Sequence, residues 1–149
     1  MELQVRNARI TDVDGITSLL TGMPGHDGSR GSEADADLLR SLIYLPNATV
    51  VVAADGRRVI AAAVLALRPS VFHGGHVGTI DLIAIDAEAD GESLTATLLP
   101  ELVRSARNKG CVRVEVDTTA AGASRWVKRG FKPEPPRLAV EINSGVGVR

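Results

Sequence analysis

The side chains that could move a proton near neutral pH are few in this 149-residue chain: three histidines, one cysteine and one tyrosine, beside its carboxylates. His73 and His76 flank Gly74-Gly75. Imidazole titrates close to pH 7, so either one is a candidate general base. As a metal pair they have no further ligands at zinc-like spacing, and no metal site is expected. His26 lies in the glycine-rich stretch Gly22–Ser32 and reads as a solvated loop residue within reach of an acceptor. Cys111 has no histidine near it in sequence, and reads as a small core residue rather than a nucleophile. Tyr44 falls at a helix end, either packed or at the edge of a cleft. Arg125, Lys128 and Arg129 read first as a solvated helix face.

The whole chain bounds these candidates. It is the length of one domain, 1–149, able to bury about 68–70% of its unfolded surface. Apolar residues make up 44%, enough for a core without staples. A net charge of -1 and 3% aromatics give neither a basic face nor a stacking platform, so nucleic acid is not an expected partner. A single cysteine allows no internal disulfide, and the N-terminus has no apolar signal core. The longest apolar runs are too short to span a bilayer. A cytoplasmic protein without a membrane partner is expected.

Periodicity supplies the elements. Leu3–Ile10 alternates and predicts a strand, and Thr11 to Asp14 has the spacing of a capping box with Thr11 as the cap. Val13, Ile16, Leu19 and Leu20 follow at helical spacing. A second helix starts at Ser32, carries the stripe Leu38, Leu39, Leu42 and Ile43, and stops before Pro46. Ala48–Ala54 predicts a buried strand, Asp55-Gly56 a hairpin turn, and Arg58–Leu67 the returning strand. Arg68–Gly75 reads as a polar connection and His76–Asp86 as another strand. Ser93–Lys109 is the longest predicted helix, kinked at Pro100 and closed by Gly110. Val112, Val114 and Val116 alternate as a strand with one wet face. Ala121–Lys128 reads as a short helix, and Leu138, Val140 and Ile142 as a last strand. Hairpins first and strand–helix–strand later predict an α/β mixed sheet, antiparallel in its first half and parallel in its second.

Three segments in this order carry a family likeness: Ile80–Asp86, Arg104–Cys111, and Ala123–Phe131 with its terminal Gly130-Phe131. With the element order they resemble the GNAT N-acyltransferase superfamily over nearly the whole chain. The resemblance implies a twisted mixed sheet whose central strands splay, with acetyl-CoA as co-substrate in the gap. It implies that Ile83, Ala84 and Ile85 offer backbone to pantetheine. It also implies that the turn and helix start Asp90, Gly91, Glu92, Ser93, Leu94 and Thr95 hold the pyrophosphate, as helix N-termini do. The family turn usually opens on Arg or Gln and continues with small residues. Here Asp90 opens it, Ser93 and Thr95 stand at the small positions, and Glu88 and Glu92 add charge. The acids either cap the helix in place of phosphate, or point outward while backbone and the Ser93 and Thr95 hydroxyls bind.

The implied reaction is transfer of an acetyl group from acetyl-CoA to a primary amine of a small molecule or peptide. It needs a base, an N–H on the thioester carbonyl, and an acid for the thiolate. Asp81, on the central strand, is the position where relatives place an acidic base, and strand alternation puts it on the face of Ile83, opposite Leu82 and Ala84. His76, in a connection bordering the acceptor cleft, is the second catalytic candidate. Trp126 stands where many members carry an acidic tyrosine; indole cannot serve, and Trp126 becomes a core residue or a wall of the cofactor groove. Acidic residues around the first loop suit a cationic amine. A homodimer is a further implied feature. The rival expectation is a binding or regulatory protein that keeps the fold and has lost acetyl-CoA.

Overall fold

Ala48–Ala54 is apolar at every position but Thr49 and so requires cover on both faces, and the computed structural model provides it. The model describes residues 2–117, 120–134 and 138–142. The chain divides into two compact units, Met1–Thr118 and Thr119–Arg149.

The first unit is built on a five-stranded sheet. Its strands are β1 (Gln4–Asn7), β2 (Ala48–Asp55), β3 (Arg58–Ser70), β4 (Gly75–Ile85) and β5 (Cys111–Val116), in that spatial order. The pairs β1–β2, β2–β3 and β3–β4 are antiparallel and β4–β5 is parallel. The mixed sheet read from the sequence is therefore present. Asp55 pairs with Arg58 around a two-residue turn, where Gly56 takes the left-handed φ of 60° that glycine adopts without strain.

Half of the connection expected over Arg68–Gly75 is strand. The β3–β4 ladder continues through Arg68↔Val77 and Pro69↔His76 to Ser70↔Gly75. Only residues 71–74 remain as the turn, closed by the Ser70 hydroxyl, which accepts the His73 N–H at 3.2 Å and meets His73 Nδ1 at 2.9 Å. By Pro69, β3 has outgrown β2, so a residue without an N–H is tolerated there.

Helices α1 (Val13–Leu20) and α2 (Ser32–Tyr44) cover one face. Val13, Ile16, Ala36 and Leu39 pack with Val50, Val52, Val59, Ala62 and Val64 into one core cluster. Thr11 does not cap α1 as expected. A short 3-10 turn, Ile10–Asp12, leads into the helix, and Asp12 takes the Arg9 N–H at 2.7 Å. Asp12 also accepts two bonds from the Arg6 guanidinium, at 2.7 and 3.0 Å, and this second partner is what fixes it there. Leu38 leaves the predicted stripe and is 64% exposed.

Helix α3 (Gly91–Asn108) covers the opposite face. Thr49, of opposite parity to Val50, meets the Ser105 hydroxyl of α3 at 2.9 Å. Leu94, Leu98, Leu102 and Ala106 are its buried line. Pro100 lies inside this helix without dividing it into two elements.

In the second unit, α4 (Ala120–Val127) runs into a turn in which the Trp126 carbonyl accepts the Arg129 and Phe131 N–H groups. The buried Trp126 ring meets Phe131 edge to face at 5.4 Å. The strand expected at Leu138–Ile142 is absent: its apolar residues are exposed, and no described strand pairs with it. Alternation defines a face only where a neighbouring strand supplies the other half of the ladder.

Candidate functional site

The site begins at an interruption in β4. On the β3 side Val64 pairs with Leu82 and Leu65 with Ile80, so Asp81 is the extra residue of a β-bulge. On the β5 side the parallel ladder ends at Ile80↔Val116. The end of pairing at Ile80 and the bulge at Asp81 thus fall at adjacent residues. From Asp81 to Ile85, β4 keeps β3 on one edge and has no strand on the other among the described residues. That free edge is about 16 Å long at ordinary strand rise. Ile83, Ala84 and Ile85 all lie along it.

The bulge also overrides simple alternation. Asp81 and Leu82 are consecutive, yet both line one cavity of about 430 Å³, where a regular strand would place them on opposite faces. The rest of the lining comes from the segment after α1 (Met23, Pro24, Gly25, His26, Asp27), from Asp35, Leu38, Leu39 and Leu42 of α2, and from Leu20, Val64 and Asp117. This explains the exposure of Leu38, which borders the cavity instead of the core. His26 Nε2 meets Asp35 at 3.0 Å and ties the loop to α2. Bonds from Ser29, first from its side chain and then from its backbone N–H, hold the Asp27 carboxyl below the usual carboxylate range. The cavity has the size of a small-molecule site.

Beyond the free edge the chain turns into α3. Asp86 organises this turn: its carboxylate accepts the Glu88 N–H at 3.0 Å and the Arg58 guanidinium at 2.6 Å, and both hold its carboxyl below the ordinary range. Asp90 is the N-cap of α3. Its Oδ1 accepts from the Glu92 N–H at 3.1 Å and the Ser93 N–H at 3.4 Å. The capping arrangement, one of the two readings of this turn, is thus the geometry adopted. Gly91 opens the helix, Leu94 is buried, and the Leu94 N–H bonds the Asp90 carbonyl at 3.0 Å. Thr95 is fully buried and donates its hydroxyl to the Gly91 carbonyl at 2.7 Å, one turn back along the helix.

The other candidates of the first unit are not among the residues that line the cavity. His76 sits five residues before Asp81, paired with Pro69 and Cys111 at the far end of the β4–β5 ladder, and does not line the cavity. His73 is held in the β3–β4 turn. Tyr44 is exposed at the end of α2. Burial pushes the Cys111 thiol up, away from thiolate chemistry. Trp126, Lys128 and Arg129 belong to the second unit, where Trp126 is buried and the two cations are exposed. Among the described residues no cluster of His, Cys, Asp and Glu could hold a metal, and no helix is long and apolar enough to cross a membrane.

The family model described as the acetyltransferase (GNAT) family matches residues 16–131, more than half of the chain. The chain belongs to the GNAT family. It is 35% identical over 79 residues to glucosamine 6-phosphate N-acetyltransferase 1 of Oryza sativa subsp. japonica, covering 53% of this chain and 48% of that protein. It is 27% identical over 86 residues to glucosamine 6-phosphate N-acetyltransferase of Trypanosoma brucei brucei, covering 57% and 58%. The chain thus matches about half the length of these two relatives. A crystal structure of a transcriptional regulator from Bacillus halodurans C-125 superposes with a TM-score of 0.81 at 17% identity, covering 95% of this chain and all of that one. At that identity the likeness is one of fold.

Two features of this GNAT chain escaped the sequence reading. One is the bulge, which depends on the register against β3 and leaves no mark in the residues themselves. The other is Asp117 at the cavity rim. Its position just past the carboxyl end of a parallel strand is a usable signal, since open parallel sheets bind ligands there.

Proposed function

We propose that this GNAT chain transfers the acetyl group of acetyl-CoA to a primary amine held in the cavity. The observation that carries the reading is the coincidence at Ile80–Asp81. Pairing with β5 stops, the β4 edge opens, and the bulged carboxylate of Asp81 faces the cavity. The free backbone of Ile83, Ala84 and Ile85 fits the extended arm of a pantetheine by strand-like hydrogen bonding. Acetyl-CoA supplies an acetyl thioester. Asp81, as base, takes a proton from the bound ammonium. Glucosamine 6-phosphate, the acceptor in the relatives' names, is one primary amine of the required kind. A cytoplasmic location and a homodimer belong to this reading as its finer parts.

A second reading is favoured by one specific contact. Asp90 already occupies the Glu92 and Ser93 N–H groups, the donors a pyrophosphate would use at this helix start. On that reading the protein keeps the fold as a binding or regulatory module. Calorimetric titration with acetyl-CoA separates the two. Micromolar binding, with turnover of an amine that falls by about 100-fold or more in Asp81→Asn, supports transfer. A folded protein that takes up no acetyl-CoA at millimolar concentration supports the module.

A further inference from the structure

We propose that the cavity takes a linear diamine or polyamine: an unphosphorylated amine whose second ammonium is separated from the reacting one by methylenes. This deepens the transfer reading and rests on it for the chemistry, though not for the binding.

The lining carries the argument. Asp81 comes from strand β4, Asp27 from the loop after α1 and Asp35 from α2, and Leu39 and Leu42 are apolar members of the same lining. Among the described residues that line it there is no lysine or arginine. His26 is the one described lining group able to become a cation, and it is hydrogen-bonded to Asp35. Carboxylates from strand, loop and helix in a lining that also holds leucines match two ammonium groups joined by a hydrocarbon chain. Ammonium brought beside carboxylate forms charge-assisted bonds, and methylenes are content against leucine.

The same lining opposes a phosphate monoester. Such a group carries about -1.5 to -2 charges at neutral pH and is normally met by Arg forks or cationic clusters. Here it would meet carboxylates, and like charges brought together in an interface are strongly disfavoured.

The step balances. The ammonium on the Asp81 side gives its proton to the Asp81 carboxylate. Its nitrogen lone pair forms the N–C bond to the acetyl carbon as the C–S bond breaks. CoA leaves as thiolate and takes the second proton from the acylated nitrogen, and Asp81 then releases its own proton to solvent. The product is a mono-acetylated diamine whose other ammonium is unchanged.

The test compares 1,4-diaminobutane, n-butylamine and a phosphorylated amino sugar as acceptors with acetyl-CoA, beside calorimetric binding of 1,4-diaminobutane alone. The diamine is expected to exceed the monoamine in kcat/KM by about tenfold, and the phosphorylated amine by more. Asp27→Asn and Asp35→Asn should raise the diamine KM more than the monoamine KM. Asp35→Asn also disturbs the bond to His26, whereas Asp27→Asn alters an exposed loop residue and keeps the fold. Equal or better use of the phosphorylated amine overturns the proposal. So does diamine binding that Asp27→Asn leaves unchanged. Acetylation of other amines with no diamine binding sinks the proposal and spares the transfer reading. Diamine binding that weakens in Asp27→Asn, with no acetylation of any amine, sinks the transfer reading and supports the ligand class.

Discussion

Asp12 and Asp81 show what single carboxylates do here under opposite surroundings. Asp12 is 5% exposed and is held by Arg6 and the Arg9 N–H. The Arg6 guanidinium is the main cause that keeps its carboxyl below the ordinary range, against an opposing contribution from burial. Asp12→Ala should cost about 2–3 kcal/mol, read by denaturant unfolding, because a half-buried guanidinium loses its partner. The sign of the pH dependence follows from the lowered value. The stabilisation is fully present above the unfolded carboxyl value of about 4 and is lost as pH falls through the folded one. Acid unfolding of the wild type and of Asp12→Ala should therefore converge at low pH. Asp81 is exposed and stands at a bulge, so Asp81→Asn should leave the melting temperature unchanged while removing activity.

At the scale of elements, the start of α3 and the β4–β5 ladder decide different properties. Asp90→Ser keeps a capping oxygen and removes a negative charge from a helix N-terminus meant for an anion. Stability should change by less than about 0.5 kcal/mol. Titration should show acetyl-CoA binding about tenfold tighter. Unchanged or weaker binding would show that the phosphates do not approach this turn. Gly78 sits inside the parallel ladder, where an added Cβ would lie 3.0 Å from Leu65 Cδ1 and 3.4 Å from Cys111 Sγ. Gly78→Val should destabilise the protein by about 1–3 kcal/mol, measured by thermal melting, since two side chains from neighbouring strands must yield.

For the molecule as a whole, a bound ligand must stabilise the native state. Acetyl-CoA at one hundred times its dissociation constant should add about 2.7 kcal/mol, a rise of roughly 5–10 °C in Tm for a chain of this size. An unchanged Tm would favour the binding-module reading. At this scale the sequence was informative about order. The apolar run Ala48–Ala54, the Asp55-Gly56 turn, the α3 stripe and the valines of β5 each stated their element, because local propensity and burial agree there. The turn chemistry at Asp90 was legible too, as a pair of alternatives.

The sequence by itself thus determined the types and succession of the elements from β1 to α4 and the acidic character of the helix start, since these depend on residues near one another along the chain. Tertiary structure alone decided the rest. The length of the β3–β4 hairpin depends on pairing partners, and Leu38 faces a cavity because α2 meets the sheet at one particular rotation. The bulge that turns Asp81 and Leu82 to the same side exists only as a register difference between two strands. A strand's faces are fixed by its neighbour, not by its own alternation, so the site at the split could be read only once β3, β4 and β5 were in place.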